Sequence, residues 1–457
     1  MDVGKIVDWG EISSLLSEGA KPSPDDVRFI LERALKKKGL SLKDVACLLN
    51  VEDPQLLSEV FEAAGRIKRE IYGERLVFFA PLYVSSYCVN DCEYCGFHRS
   101  NPAPRKRLTL KEVEEQVRIL EGMGHKRLLL EFGEHPLNTI DYAVDVINTI
   151  YSTKHGRGEI RRVNVNVAAS TVEDYKRLKE AGIGTYQLFQ ETYHQKTYEK
   201  LHDGPKADYE RQLFAHDRAF KAGIDDVGLG VLFGLYDYKS EVMGLISHAQ
   251  YLDNVFGVGP HTFSVPRWQP ADSTGWEQPP YPVSEDELLK VIAILRLAVP
   301  YTGMIISTRE RPEVRAKAFE IGISQTSAAS RTSPGGYGGD GELTQFSLSD
   351  SRTLDEVLKG VLGQNLLPSF CTACYRKART GRTFMDLAKP GNINLLCRPN
   401  AILTFKEYLE DYASEDVREL GAAALNKCIG QISDQNVRGE TLARLKRIEA
   451  GERDLYF

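Results

Sequence analysis

Six of the eight cysteines fall into two close groups. Cys88, Cys92 and Cys95 are separated by three and then two residues, while Cys371 and Cys374 are separated by two, with Cys397 another twenty-two residues on. Eight thiols in 457 residues are too sparse for a disulfide scaffold, so thiols at such short intervals point to metal. Zinc asks for four ligands; His98 supplies a fourth for the first group, but no histidine follows His261 to do the same for the second. An iron–sulfur cubane on three thiolates leaves one iron without a protein ligand, which makes it a reaction site rather than an electron relay. That reading is preferred for both groups. Arg376, Lys377, Arg379 and Arg382 stand beside the second and can offset the charge of a thiolate cluster. Cys47 and Cys428 lie alone in apolar stretches and read as small buried hydrophobes.

The elements that must hold these thiols follow from periodicity. Apolar, β-branched and aromatic runs at 76–84, 127–132, 163–168, 185–189, 227–233, 262–265, 304–308 and 325–328 read as eight strands. Helical patterns lie between most of them, announced by capping boxes such as Ser170 with Glu173 and Ser284 with Glu287. Strand and helix alternating eight times over about 250 residues predict an α/β fold, a closed (β/α)8 TIM-type barrel spanning 74–340. The first cysteine group then lies in the loop after strand one, on the catalytic face. His261, at the start of strand six, falls at the other mouth. Residues 1–73 read as a helical extension, with helices at 24–38, after Ser41, and at 54–72. After the Gly-rich stretch 333–339 the strand signal ends, and 341–457 reads as a helical domain with helices at 353–362, 384–388, 401–413, 417–432 and 440–450.

Composition narrows the partners. With 42% hydrophobic residues the chain can build a sizeable core, and 58 basic against 64 acidic residues give a net charge of -6 with no basic block suited to phosphate backbones. No nucleic-acid partner is expected. The start of the chain lacks a signal-peptide pattern and no apolar run is long enough to span a bilayer, so the expectation is a cytoplasmic protein without a membrane partner.

Cysteines three and two residues apart, with aromatic Tyr94 before the last and a position after strand one, resemble the radical S-adenosylmethionine (SAM) enzymes. The resemblance implies a 4Fe–4S cluster on Cys88, Cys92 and Cys95 whose open iron chelates SAM, and reductive cleavage of SAM to a 5′-deoxyadenosyl radical. Glu131-Phe132-Gly133-Glu134 resembles the family's Gly-Gly-Glu motif, with Phe132 in place of the first glycine and Glu134 left to bind the SAM amino group. Gln190-Glu191 and Arg211 resemble the residues that hold SAM ribose and carboxylate, and the stretch 228–234 resembles the adenine-side strand.

The second cysteine group narrows the likeness to the HydG family of tyrosine lyases, which mature [FeFe]-hydrogenase. The related ThiH enzymes of thiamine synthesis lack that group. The resemblance implies scission of the Cα–Cβ bond of L-tyrosine to p-cresol and dehydroglycine. It further implies conversion of dehydroglycine to CO and cyanide at an auxiliary 4Fe–4S cluster on Cys371, Cys374 and Cys397, where an additional iron also carries a free cysteine. His261, in Pro260-His261-Thr262, is the implied ligand of that iron, and Arg309, closing strand seven, can pair with the tyrosine carboxylate. An electron donor and other hydrogenase maturation proteins are the implied partners. The alternatives are a ThiH-type 2-iminoacetate synthase with a structural second site, and a zinc-bearing scaffold without catalysis.

Overall fold

Strand β1 (Arg75–Ser85) is buried from its second residue onward, on both faces, as a strand at the heart of a parallel barrel must be. It pairs with β2 (Arg127–Phe132), and the chain then adds β3 (Arg162–Asn166), β4 (Tyr186–Gln187), β5 (Val227–Gly230), β6 (Thr262–Ser264), β7 (Gly303–Ile306) and β8 (Gln325–Ser327) in order. Every pairing is parallel, and β8 returns to β1 through Val77–Gln325 to Phe79–Ser327, closing eight strands into the expected TIM-type barrel. The structure, a computed structural model, describes residues 2–339 and 343–457, so the expected boundary at 340/341 lies outside the described residues. Among the described residues no helix is long and apolar enough to cross a membrane.

The inside of this barrel is unusual for its polarity. Barrel interiors are normally filled by branched apolar side chains. Here Phe79, Leu129 and Ile305 form one apolar layer, while Arg127, Asn164, Gln187, Thr262 and Gln325 are buried polar residues on the strands around it. Gly228 is dictated by that crowding, because a Cβ there would lie 2.4 Å from Thr262 Oγ1 and 2.9 Å from Gln187.

Many of the helices start where a side-chain oxygen caps them, each such cap contributing about 1 kcal/mol. Ser284 and Glu287 form the expected box. The box expected at Ser170 and Glu173 sits one residue later, on Thr171 and Asp174, and Ser170 Oγ joins it by donating to Asp174 at 2.6 Å. In the N-terminal region Pro24–Ala34 stops short of the expected 38, with Lys37 in the left-handed region, and Trp9–Glu18 adds a helix that periodicity did not reveal. Pro54–Tyr72 lies against Glu285–Ala298, whose residues 288–298 are all buried, so this region shares one apolar core with the barrel.

The C-terminal region departs from its helical reading at one point that matters. A ninth strand, β9 (Leu367–Ser369), pairs in parallel with Arg75–Val77 of β1, below Ala80 where β2 joins. Cys397 lies inside a helix, Asn394–Asp411, that starts well before the expected 401 and runs through Pro399. Cys428 is buried as expected, and Cys47 is partly buried against the core.

Candidate functional site

β1 leaves the C-terminal mouth directly into the loop of Cys88, Cys92 and Cys95. Backbone bonds from Cys95 N to Cys92 O (3.2 Å) and His98 N to Cys95 O (3.0 Å) turn this loop tightly. Arg105 ties its ends, donating to the carbonyls of Ser86 (2.9 Å), Phe97 (2.8 Å), His98 and Asn101 (3.1 Å). Gly133 packs from β2, where a Cβ would lie 2.4 Å from Tyr87 O and 2.9 Å from Cys88 Cβ. Its neighbour Glu134 accepts from Asn90 Nδ2 at 2.9 Å, and Asn90 Nδ2 lies 3.7 Å from Cys88 Sγ. His98 turns Nδ1 to Asp91 at 3.0 Å and is not among the residues lining the cavity that the thiols face. Burial pushes the Cys95 thiol up to about 11 and Cys92 higher still, so these sulfurs lose their protons only to a metal.

That cavity is lined by all three cysteines, Tyr94, Glu134, Glu191 and Lys206. Glu134 is paired with Arg211 at 2.6 Å, and Glu191, in the left-handed region at φ 66°, is paired with Lys206 at 2.7 Å. Glu191 and Arg211 therefore each have another partner rather than one another. Lys206 was missed because a lone lysine after Gly204-Pro205 carries no signal of its own. Burial opposes its charge, and Glu191 and Cys92 outweigh burial. Tyr94 donates to or accepts from His202 Nε2 at 2.8 Å, and its ring packs on Cys92, Leu201, Leu232 and Trp268.

Tyr94 also forms the wall of a second cavity, of about 120 Å³, in the barrel mouth. Phe79, Leu129, Phe189, Ile305 and Phe346 give it apolar sides; Glu131, Asn166, Gln187, Ser264 and Arg309 give it polar ones. The Arg309 guanidinium carbon sits 3.2 Å from the centre of the Phe346 ring. Among the described residues Arg309 has no ion pair, since Glu310 is taken by Arg267. Burial pushes the Glu131 carboxyl up to about 7, against the pull of Tyr83 and Arg309.

The second cysteine group lies at the opposite mouth, because β9 delivers Cys371 beside the first residues of β1 and β2. Arg127 at the start of β2 donates to Cys371 O at 2.7 Å. The helix Ala373–Arg376 carries Cys374, which burial pushes up to about 12 with Cys397 and Cys371 adding to it. The cations facing these thiols differ from the expected ones. Arg376 is drawn away to Asp454 (2.5 Å) and Tyr456, Lys377 lies over Tyr456, and Arg382 reaches toward Gly257. Of the expected set Arg379 faces the cysteines while also donating to Phe457 O, and Arg75 and Arg127 join it; among the described residues the Nε atoms of all three are buried without a partner.

His261 belongs to this same mouth. Its ring stacks on Phe384 at 3.9 Å and lies 6.3 Å from Tyr375, the residue after Cys374. Burial lowers its pKa and keeps the imidazole neutral, as a metal ligand must be. Among the described residues no group of three or more histidine, cysteine or acidic side chains converges closely enough to chelate a single ion.

Residues 82–249 match the Radical SAM superfamily, and residues 264–366 match the Biotin and Thiamin Synthesis associated domain. A crystal structure of HydG, a maturase of the [FeFe]-hydrogenase, superposes with a TM-score of 0.97 at 54% identity, covering 99% of this chain and 100% of the other. The chain belongs to the HydG family of radical SAM enzymes. The FeFe-hydrogenase maturase HydG from Carboxydothermus hydrogenoformans also matches, with a TM-score of 0.84 and 39% identity over 95% of this chain and 97% of its own. The 2-iminoacetate synthase of Salmonella typhimurium is 34% identical over 74% of this chain and 89% of its own length. The cofactors of this HydG family member are SAM, a SAM-binding 4Fe–4S cluster and an auxiliary 4Fe–4S cluster. The donor sets fit them: three thiols at each mouth, all free and none fully exposed, with arginine Nε atoms that are unpartnered among the described residues around the second.

Proposed function

We propose that this chain cleaves the Cα–Cβ bond of L-tyrosine, releasing p-cresol and dehydroglycine, and converts dehydroglycine to CO and cyanide at the opposite mouth for assembly of the [FeFe]-hydrogenase cluster. The observation that carries the reading is Arg309: a guanidinium without an ion pair among the described residues, in a cavity whose wall is shared with Cys95 and Tyr94. When bound on Cys88, Cys92 and Cys95, the reduced cluster supplies the electron that splits SAM into methionine and a 5′-deoxyadenosyl radical. Glu134, held by Asn90 and Arg211, takes the SAM amino group, and the Glu191–Lys206 pair offers one charge of each sign to the rest of the zwitterion. Arg309 grips the tyrosine carboxylate through two parallel hydrogen bonds, which turns the amino group toward Tyr94 and the thiol loop. The closed apolar walls exclude water that would quench a radical. Below them, the polar residues Gln187, Asn164 and Arg127 offer hydrogen bonds to a small polar fragment moving toward Cys371 and His261.

In this reading 74–340 is the lyase unit, 341–457 carries the second cysteine group, and 1–73 braces the barrel. An electron donor, free cysteine for the additional iron at His261, and other maturation proteins complete the partners. The test is anaerobic incubation with SAM, dithionite and L-tyrosine, assaying p-cresol, CO and cyanide together. All three should form, and Cys88→Ala/Cys92→Ala/Cys95→Ala should form neither p-cresol nor 5′-deoxyadenosine. p-Cresol without CO would reduce the activity to that of a 2-iminoacetate synthase; no p-cresol at all would end the reading.

A further inference from the structure

Asp226, the residue before β5, is 3% exposed, and among the described residues neither of its carboxylate oxygens has a hydrogen bond. A buried carboxylate without partners is costly, so its surroundings should explain it. Its nearest cationic or donor nitrogen is Nδ1 of His261, 3.2 Å from Oδ2. His261 is fixed by three independent restraints. Its N–H donates to Val227 O at 2.8 Å, its carbonyl accepts from Gly303 N at 2.8 Å, and Phe384 covers one face of the ring at 3.9 Å. With Nδ1 turned to Asp226, Nε2 is left at the mouth that holds Cys371, Cys374 and Cys397, and it makes no hydrogen bond among the described residues.

We propose that Asp226 is the positioning residue of the additional-iron site, accepting the Nδ1 proton of His261 so that the Nε2 lone pair faces the metal. A metal-bound imidazole commonly donates its other N–H to a carboxylate, which fixes tautomer and ring direction and raises the basicity of the ligand. The 3.2 Å contact is within hydrogen-bond distance although it lacks hydrogen-bond alignment in this structure. The neighbouring Asp225 cannot take this part, because it is occupied by Thr380 at 3.3 Å. The proposal rests on His261 holding the iron, as in the function proposed above.

The experiment titrates ferrous iron anaerobically into cluster-reconstituted protein, reading bound iron and the electron paramagnetic resonance of the auxiliary centre, with p-cresol formation as a check on the barrel. Asp226→Asn should weaken binding of the additional iron by about 10- to 100-fold, the usual effect of losing such a partner, while p-cresol continues to form. His261→Ala should lose the additional iron, and His261→Ala/Asp226→Asn should lose nothing more, because Asp226 acts only through His261. Iron binding unchanged in Asp226→Asn but lost in His261→Ala would overturn the positioning role alone. Normal binding in His261→Ala would overturn the ligand assignment and this proposal with it. Parallel loss of p-cresol in Asp226→Asn, or a further loss in the double variant, would make Asp226 a structural residue.

Discussion

Replacing Arg309 tests the substrate site most directly, because among the described residues its side chain pairs with no carboxylate. A hydrogen bond to a charged group contributes about 1.5–3 kcal/mol, and truncating one partner of a buried charged pair costs about 2–5 kcal/mol. Arg309 is only partly buried, which places the loss near the lower end, at about 2–3 kcal/mol. At about 1.4 kcal/mol per tenfold, Arg309→Ala should raise the KM for tyrosine by about 30- to 140-fold. Arg309→Lys keeps the charge and loses the fork, so a rise of about tenfold is expected from one lost charge-assisted bond. The assay is p-cresol formation against tyrosine concentration, with 5′-deoxyadenosine measured in the absence of tyrosine as a control. That uncoupled cleavage should persist, since Arg309 does not line the thiol cavity. A KM within twofold of the unaltered enzyme, or loss of uncoupled SAM cleavage, would refute the reasoning.

Three further outcomes follow from other parts of the molecule. Cys371→Ala/Cys374→Ala should preserve p-cresol and abolish CO, with cyanide reduced; simultaneous loss of p-cresol and CO with the first cluster intact by spectroscopy would contradict the separation of the two mouths. Gly133→Ala drives a methyl group to 2.4 Å from Tyr87 O, so iron bound by the first cysteine group should fall while the second group still loads. Glu131 is neutral below about pH 7 and ionised above it, and its negative charge then competes with the tyrosine carboxylate for Arg309. The KM for tyrosine should therefore rise as pH increases through about 7, and Glu131→Gln should flatten that rise.

The eight barrel strands were legible because each is a run of apolar or β-branched residues between helices, and both cysteine groups were legible from spacing alone. β9 was not, for a physical reason: three residues long with Pro368 in the middle, it can exist only at an edge with few ladder bonds to make. Missing it hid the position of Cys371, and with it the reason His261 belongs at the N-terminal mouth. The helix of Cys397 was hidden similarly, since Pro399 in its second turn reads as a stop. Arg75 and Arg127 looked like the polar ends of strands, whereas the nearby Arg376 and Lys377 looked like the natural counter-charges. Only the fold shows that Asp454 and Tyr456 draw Arg376 aside.

β1 touches both centres: Val77 pairs with Ser369, two residues before Cys371, and Ser85 is three residues before Cys88. The eight steps from Val77 to Ser85 span about 26 Å at 3.3 Å per residue. Clusters held by the two cysteine groups would stand about a strand's length apart. In the proposed reaction they would be coupled by a molecule moving through the barrel rather than by contact along the strand. A reductant must reach the two mouths by separate routes, from opposite ends of the barrel.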